Sequence, residues 1–293
     1  MAVNSAINRT EKPTATLPRM ITVIEPPALR LQDLLNNILK LVRYRDLIYT
    51  LSVHRIKVRY KQSVLGVSWA LVQPVALMLI YTLIFSFIAR IKTDGVPYAL
   101  FAYTALLPWL FFSTAVTNAT NGLVSHAQLI TKVYFPREIL PLTYVCAAFF
   151  DFLIASSVFI GLMIYYRVQI SWAMLYVIPI VVLMVMFTTA VSLFFSATQV
   201  RFRDIGVAMP LLLQLWMFAT PVVYPLSAVP ARIRNIYDLN PMVGFIEGFR
   251  QVMLSRQPPN PNLLAVAGLV SLVLLVFSYI YFKRVEANVA DVI

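Results

Sequence analysis

The chain has 293 residues, 60% of them hydrophobic and only 12% charged, with a formal net charge of +12. A soluble domain of this size needs about twice that share of charge to cover its surface, and the long continuous apolar runs lack the alternation of membrane barrel strands. The composition therefore predicts an all-α, polytopic membrane protein, in which the excess of Lys and Arg reflects cytosolic segments rather than a nucleic-acid footprint.

Residues 1–28 are rich in Thr, Pro and Asn without periodicity and read as a disordered cytosolic tail. They contain no apolar core, so no cleavable signal sequence is expected. Residues 29–65 form an amphipathic cytosolic or interfacial region. Leu31, Leu34, Leu35 and Ile38 recur at helical spacing, and a basic run follows in which Arg45, Asp46, Arg55, Lys57, Arg59 and Lys61 interleave with Leu47, Ile48, Leu51, Ile56 and Val58. Such a helix suits the headgroup plane, with its cations near lipid phosphates. It equally suits docking of a cytosolic partner, and the two roles are compatible.

Six spans are expected within a 66–284 membrane domain, at about 66–89, 99–121, 141–166, 172–197, 206–225 and 263–283. A cytosolic N-terminus places 17 of the 24 Lys and Arg residues inside and 7 outside, so both termini, including 285–293, are expected in the cytosol. The segment LITKVYFPREILPL, residues 129–142, then joins the second and third spans on that side. It is too stiff and aromatic for a plain connector. Between Pro225 and Leu263, two short helices dipping back toward the membrane are expected around Asn240, Pro241, Gly244 and Glu247, with a plain outer loop as the alternative.

Polar residues inside the spans form stripes. Ser113, Thr117, Thr120 and Asn121, widened by Thr114 and Asn118, mark one face of the second span; Thr188, Ser192, Ser196 and Gln199 mark one face of the fourth. Trp69 and Gln73 lie one turn apart in the first span, followed by Tyr81. Asp151 is the one acidic residue within a span. It fits either a pairing with a neighbouring amide or hydroxyl or an ion path. Cys146 is expected to be a small buried core residue, and His54 and His126 are read as surface polar residues. The sequence has no G-x-x-x-x-G-K-[ST] loop, H-E-x-x-H motif or Cys/His cluster, so neither ATP hydrolysis nor metal chemistry is expected on this chain.

Four strings in register carry a resemblance: RYKQSVLGVSWALVQP, then KVYFPREILPL, RFRDI and LNPMVGFIEGFR. Together they resemble the permease subunits of type-2 ABC exporters, in the branch that exports lipid-linked polysaccharides such as O-antigen, teichoic acid and capsule. The likeness extends over about residues 44–284. It implies a homodimer in the bacterial cytoplasmic (inner) membrane. Each copy would be served by a separate cytosolic ATPase that holds the ATP and Mg, with no cofactor or metal on this chain. It also implies an amphipathic helix at Asp46–Gln62, a coupling helix at about Gln128–Glu138 and re-entrant helices at about Ser227–Leu254.

On this resemblance Lys132, Val133, Tyr134, Phe135, Pro136, Arg137 and Glu138 form the ATPase-coupling elbow. Tyr134 and Phe135 are expected to be aromatic docking anchors, Lys132 and the Arg137–Glu138 pair to fix orientation, and Pro136 and Pro141 to stiffen the exit. Arg55, Arg59, Lys61 and Arg203 would form a basic rim for a polyprenyl diphosphate. Trp69, Gln73, Tyr81, Trp109, Thr117, Asn121 and Tyr144 are the candidates for the glycan path. Two alternatives stand: a small-molecule permease of the same class, and an ion-coupled secondary transporter using Asp151. The latter predicts inverted repeats, which the two halves of the sequence do not display.

Overall fold

The computed structural model describes residues 41–292 except Gln62, Lys92, Asp94 and Tyr134, without the side chains of 287–292. The 1–28 tail, most of the amphipathic lead-in at 29–40, and Tyr134 therefore lie outside the described residues, as do the side chains of all but the first two residues of the 285–293 tail. Among the described residues the structure is helical, with no strand.

The basic run forms α1 (Arg45–Lys61), with Asp46 in its first turn and Arg59 and Lys61 in its last, matching the sign of the helix dipole at each end. Leu47, Ile48 and Leu51 pack onto a cluster that contains Phe135, Ile139 and Phe282. A left-handed Gly66 (φ +54) turns the chain into the membrane segment. That segment begins with a 3₁₀ turn, continues as α2 (Trp69–Tyr81) and ends in a π-helical stretch, Thr82–Ile88.

The hub is α3 (Tyr98–Thr120), which packs against α2, against α5 (Ile139–Tyr165) and α6 (Val177–Arg201), and against α7 (Asp204–Phe218) and α9 (Pro241–Met253). Its apolar window is 78% buried, whereas that of Gly66–Ile88 is only 11% buried. A single chain therefore leaves its first apolar helix almost uncovered. The short α4 (Ala127–Lys132) leads into the elbow, α8 (Ala231–Asp238) precedes α9, and the long α10 (Pro261–Val292) packs along α6.

Among the described residues, five helical segments are long and apolar enough to cross a membrane: Gly66–Ile88, Tyr98–Thr120, Ile139–Tyr165, Trp172–Arg201 and Pro261–Glu286. The expected fifth span, 206–225, appears as the shorter α7, which ends at Phe218. The chain leaves the helix there because Thr220–Tyr224 runs as an irregular turn whose carbonyls are taken by a side chain, that of Arg250. The last helix extends beyond the expected 263–283, since nothing between Lys283 and Val292 breaks it.

Candidate coupling elbow and translocation groove

The elbow is helical only as far as Lys132; Val133 is extended and the chain turns at Pro136–Glu138 before α5 begins at Ile139. The coupling helix expected over Gln128–Glu138 is thus shorter, because Pro136 has no N–H to continue a helix. Lys132 and Val133 are exposed. Phe135 is not the docking anchor expected of it: it is 7% exposed and packs inward with Ile130, Ile139 and Phe282.

Arg137 and Glu138 do not pair with each other either. Glu138, 1% exposed, lies 2.8 Å from Lys283 Nζ, and Lys283 also donates to Glu286 at 2.7 Å. The Arg137 backbone N–H donates to Glu286 Oε1 at 3.0 Å, and Arg137 Nη1 donates to the Glu286 carbonyl at 2.5 Å. Burial, and secondly the nearby Glu286, push the Glu138 carboxyl above its ordinary pKa; Lys283 opposes the shift. Lys283 and Glu286 escaped the sequence reading. Their only local signal is an i,i+3 charge pair at the end of an apolar run.

The basic rim divides. Lys57, Lys61 and Arg203 are exposed, as are Arg45 and Asp46 at the start of α1. Arg55 turns inward, donating to Thr143 Oγ1 at 2.7 Å and lying over the Tyr144 ring. Arg59 pairs with Asp151, whose other oxygen accepts the Tyr60 hydroxyl at 2.7 Å. Asp151 is therefore held by two consecutive residues of α1, by charge from Arg59 and by a hydrogen bond from Tyr60.

Two hollows collect most of the path candidates. A cavity of about 180 Å³ is lined by Trp69, Gln73, Arg59, Tyr60, Thr114 and Asp151. An open groove of about 410 Å³ lies between α2, α3 and α7, lined by Tyr81, Trp109, Ser113, Thr114, Thr117, Asn118 and Gln214. Trp109 contributes only an edge, since it is 3% exposed and its ring sits 5.6 Å from that of Phe112. Asn121 and Tyr144 line neither hollow. Asn121 accepts from Gln199 Nε2 at 3.3 Å where α3, α6 and α7 converge, and Tyr144 sits between Arg55 and His126. Gln214, which sequence reasoning missed, completes the polar wall.

The stripe on α6 serves packing: Thr188, Ser192, Ser196 and Gln199 are all buried. Cys146 is exposed on the single chain, beside Ser52 of α1, rather than in the core. His126 is part-buried, its Nδ1 3.0 Å from the Gly122 carbonyl, and only His54 is an exposed histidine. In the segment before the last span, Asn240 caps α9 through Met242 N at 3.1 Å and also bonds Trp216 and Thr220; Pro241 takes the first helical position. Pro241 and Gly244 are buried and Glu247 is partly exposed.

Residues 46–254, spanning α1 through α9, match the family described as ABC-2 type transporter. The chain belongs to that family. It is 32% identical over 238 residues to the O-antigen export system permease protein RfbA of Myxococcus xanthus, covering 80% of this chain and 91% of that protein. It is 28% identical over 249 residues to an O-antigen export system permease protein RfbA of Klebsiella pneumoniae, covering 85% and 95%. The polysialic acid transport protein KpsM of Escherichia coli is 24% identical over 239 residues, covering 76% and 88%. As an ABC-2 transporter chain it is a multi-pass membrane protein, and the elbow and both hollows lie within the matched region.

Proposed function

We propose that this chain is the channel-forming subunit of an ATP-driven exporter that moves a polyprenyl-diphosphate-linked, O-antigen-like polysaccharide from the cytosolic side across the bacterial inner membrane. The groove between α2, α3 and α7 carries this reading. It presents hydroxyl and amide groups beside the ring of Tyr81, which suits hydrogen bonding and ring contact with a sugar chain. The relatives named for O-antigen export supply the substrate class.

A groove open on one side becomes a channel when a second copy closes it. In this reading that second copy meets the Gly66–Ile88 helix, which is little covered within one chain. On the same reading α7 with the turn after it forms the fifth of six spans, α8 and α9 are the re-entrant pair, and both termini are cytosolic. Two copies of a cytosolic ATPase, holding ATP and Mg, dock on the elbow through the exposed Gln128, Thr131, Lys132 and Val133. The exposed Lys57, Lys61 and Arg203 attract the lipid diphosphate by unpaired charge.

The ion-coupled alternative loses its main support, since Asp151 is occupied by Arg59 and Tyr60. Gentle purification of the tagged chain from its native membranes tests the reading. A soluble subunit carrying a Walker A sequence should accompany it in roughly equal amount and be lost from the double variant Lys132→Glu, Val133→Asp. A chain that emerges alone and supports ion-driven uptake in vesicles would overturn the proposal.

A further inference from the structure

Four side chains of α10, Tyr279, Phe282, Lys283 and Glu286, lie at i, i+3, i+4 and i+7, which places them on one helical face. All four engage the elbow. Phe282 shares a buried cluster with Phe135 and Ile139, the Tyr279 hydroxyl donates to Glu138 at 3.4 Å, and Lys283 and Glu286 form the charge cluster with Glu138 and Arg137. The elbow is thus joined covalently to α5 and by a buried clamp to a helix about 145 residues away. At its other end α10 meets α9 with almost no clearance: a Cβ added to Gly244 would lie 2.8 Å from Ala267 Cβ and 3.1 Å from the Leu263 carbonyl. At 32 residues, α10 is a rod about 48 Å long, seated against α9 at Leu263 and Ala267 and against the elbow from Tyr279 to Glu286.

We infer that α10 is a second output of the elbow, carrying its displacement to α9 at the far end of the bundle, with Glu138, Lys283 and Glu286 as positioning residues for transport. This rests on the proposed function, in which the elbow receives the ATPase stroke. A neighbouring helix needs no buried ions merely to pack. Desolvated charges are costly unless held in good geometry, and they then fix one relative placement of the two segments. The clamp fixes the elbow to α10, and the helical backbone with the glycine contact transmits any shift to α9.

The test uses the full chain in nanodiscs with its copurifying ATPase, with Cys146→Ser, and spin labels placed through Tyr165→Cys and Asn235→Cys, both exposed sites near the α9 end. Trapping with ATP and vanadate should shift the label separation in this background. Lys283→Met should reduce the shift by about half or more while ATP hydrolysis stays within about twofold, and Lys283→Arg should restore it. A full shift in Lys283→Met overturns the inference. If the background protein gives no nucleotide-driven shift, the transport reading has failed, and amide exchange on the chain decides the rod separately. Faster exchange at 241–253 in Lys283→Met supports it, and a change confined to the elbow and the last turns of α10 refutes it.

Discussion

The guanidinium carbon of Arg55 lies 3.5 Å from the centroid of the Tyr144 ring while its Nε donates to the hydroxyl of Thr143 at 2.7 Å. One side chain of α1 thereby grips two consecutive residues of α5. A lysine cannot stack and donate in both directions from a single ammonium. Arg55→Lys and Arg55→Met should both loosen α1 by about 1 kcal/mol, seen as roughly fivefold faster amide exchange across 45–61. Tyr144→Phe keeps the ring and should exchange as the unmodified chain does. Equal loosening by Tyr144→Phe would show that the ring face is not what holds Arg55.

His126 lies beside that site, its ring 6.3 Å from Tyr144, with Nδ1 facing the Ser125 hydroxyl and the Gly122 carbonyl. Burial, then the positive charge of Arg55, hold its pKa below the ordinary 6.5; the Gly122 carbonyl opposes this and His54 adds a weaker repulsion. The unfolded chain therefore binds a proton at higher pH than the folded one. The stability linked to His126 is complete above pH 6.5 and is lost as pH falls through the depressed folded value. Thermal melts across this window should show a steeper acid loss for the native chain than for His126→Gln. Parallel slopes would exclude His126 as the titrating group.

Arg250 is 4% exposed and its nearest partners are carbonyls: Pro221 at 2.6 Å, Val222 at 2.7 Å and Tyr224 at 3.3 Å, with Phe101 beneath its plane at 3.7 Å. It closes the irregular turn after α7 and fastens α9 to it. Substituting Lys provides one point donor for three acceptors, and Met provides none. Arg250→Met should cost about 3 kcal/mol and Arg250→Lys slightly less, measured as reduced melting temperature and membrane abundance. A lysine variant as stable as the native chain would show that the fork geometry is dispensable.

Gly244 lets α9 approach α10 closely, and the obstructing atoms include a backbone carbonyl that cannot rotate away. Gly244→Ala should destabilise by about 1–3 kcal/mol through overpacking, and Gly244→Leu should prevent the two helices from seating. Gly161, where an added Cβ meets nothing within 4 Å, is the control: Gly161→Ala should be neutral or slightly stabilising, as expected for an exposed helical glycine. Comparable losses at both positions would remove the close approach as the cause.

Local patterns revealed much of this architecture. The apolar runs at 66–88, 98–120, 139–165 and 261–286 announce helices long enough to cross a membrane, since each run carries its own length signal. The spacing of cations and aliphatics over 45–61 announces the helix of α1 in the same way. The stripe on α3 pointed to a polar face, and Ser113, Thr114, Thr117 and Asn118 do line the groove. The end of α7 falls short of the expected 225 because 206–225 is predominantly apolar, and hydropathy does not register a turn held by a distant arginine.

What the linear sequence determined by itself is the class of the protein, the order of its long helices, and the proline break in the elbow, because hydropathy, periodicity and proline are properties of neighbouring residues. Which way each polar side chain faces was decided only in three dimensions. Phe135 turned inward, Glu138 found Lys283, and Asp151 found Arg59 and Tyr60 across about 90 residues of chain. In a bundle with an apolar surround, a buried charge is stable only beside a complementary group. That partner is supplied by helix packing, and packing brings together residues whose separation along the chain carries no signal of their contact.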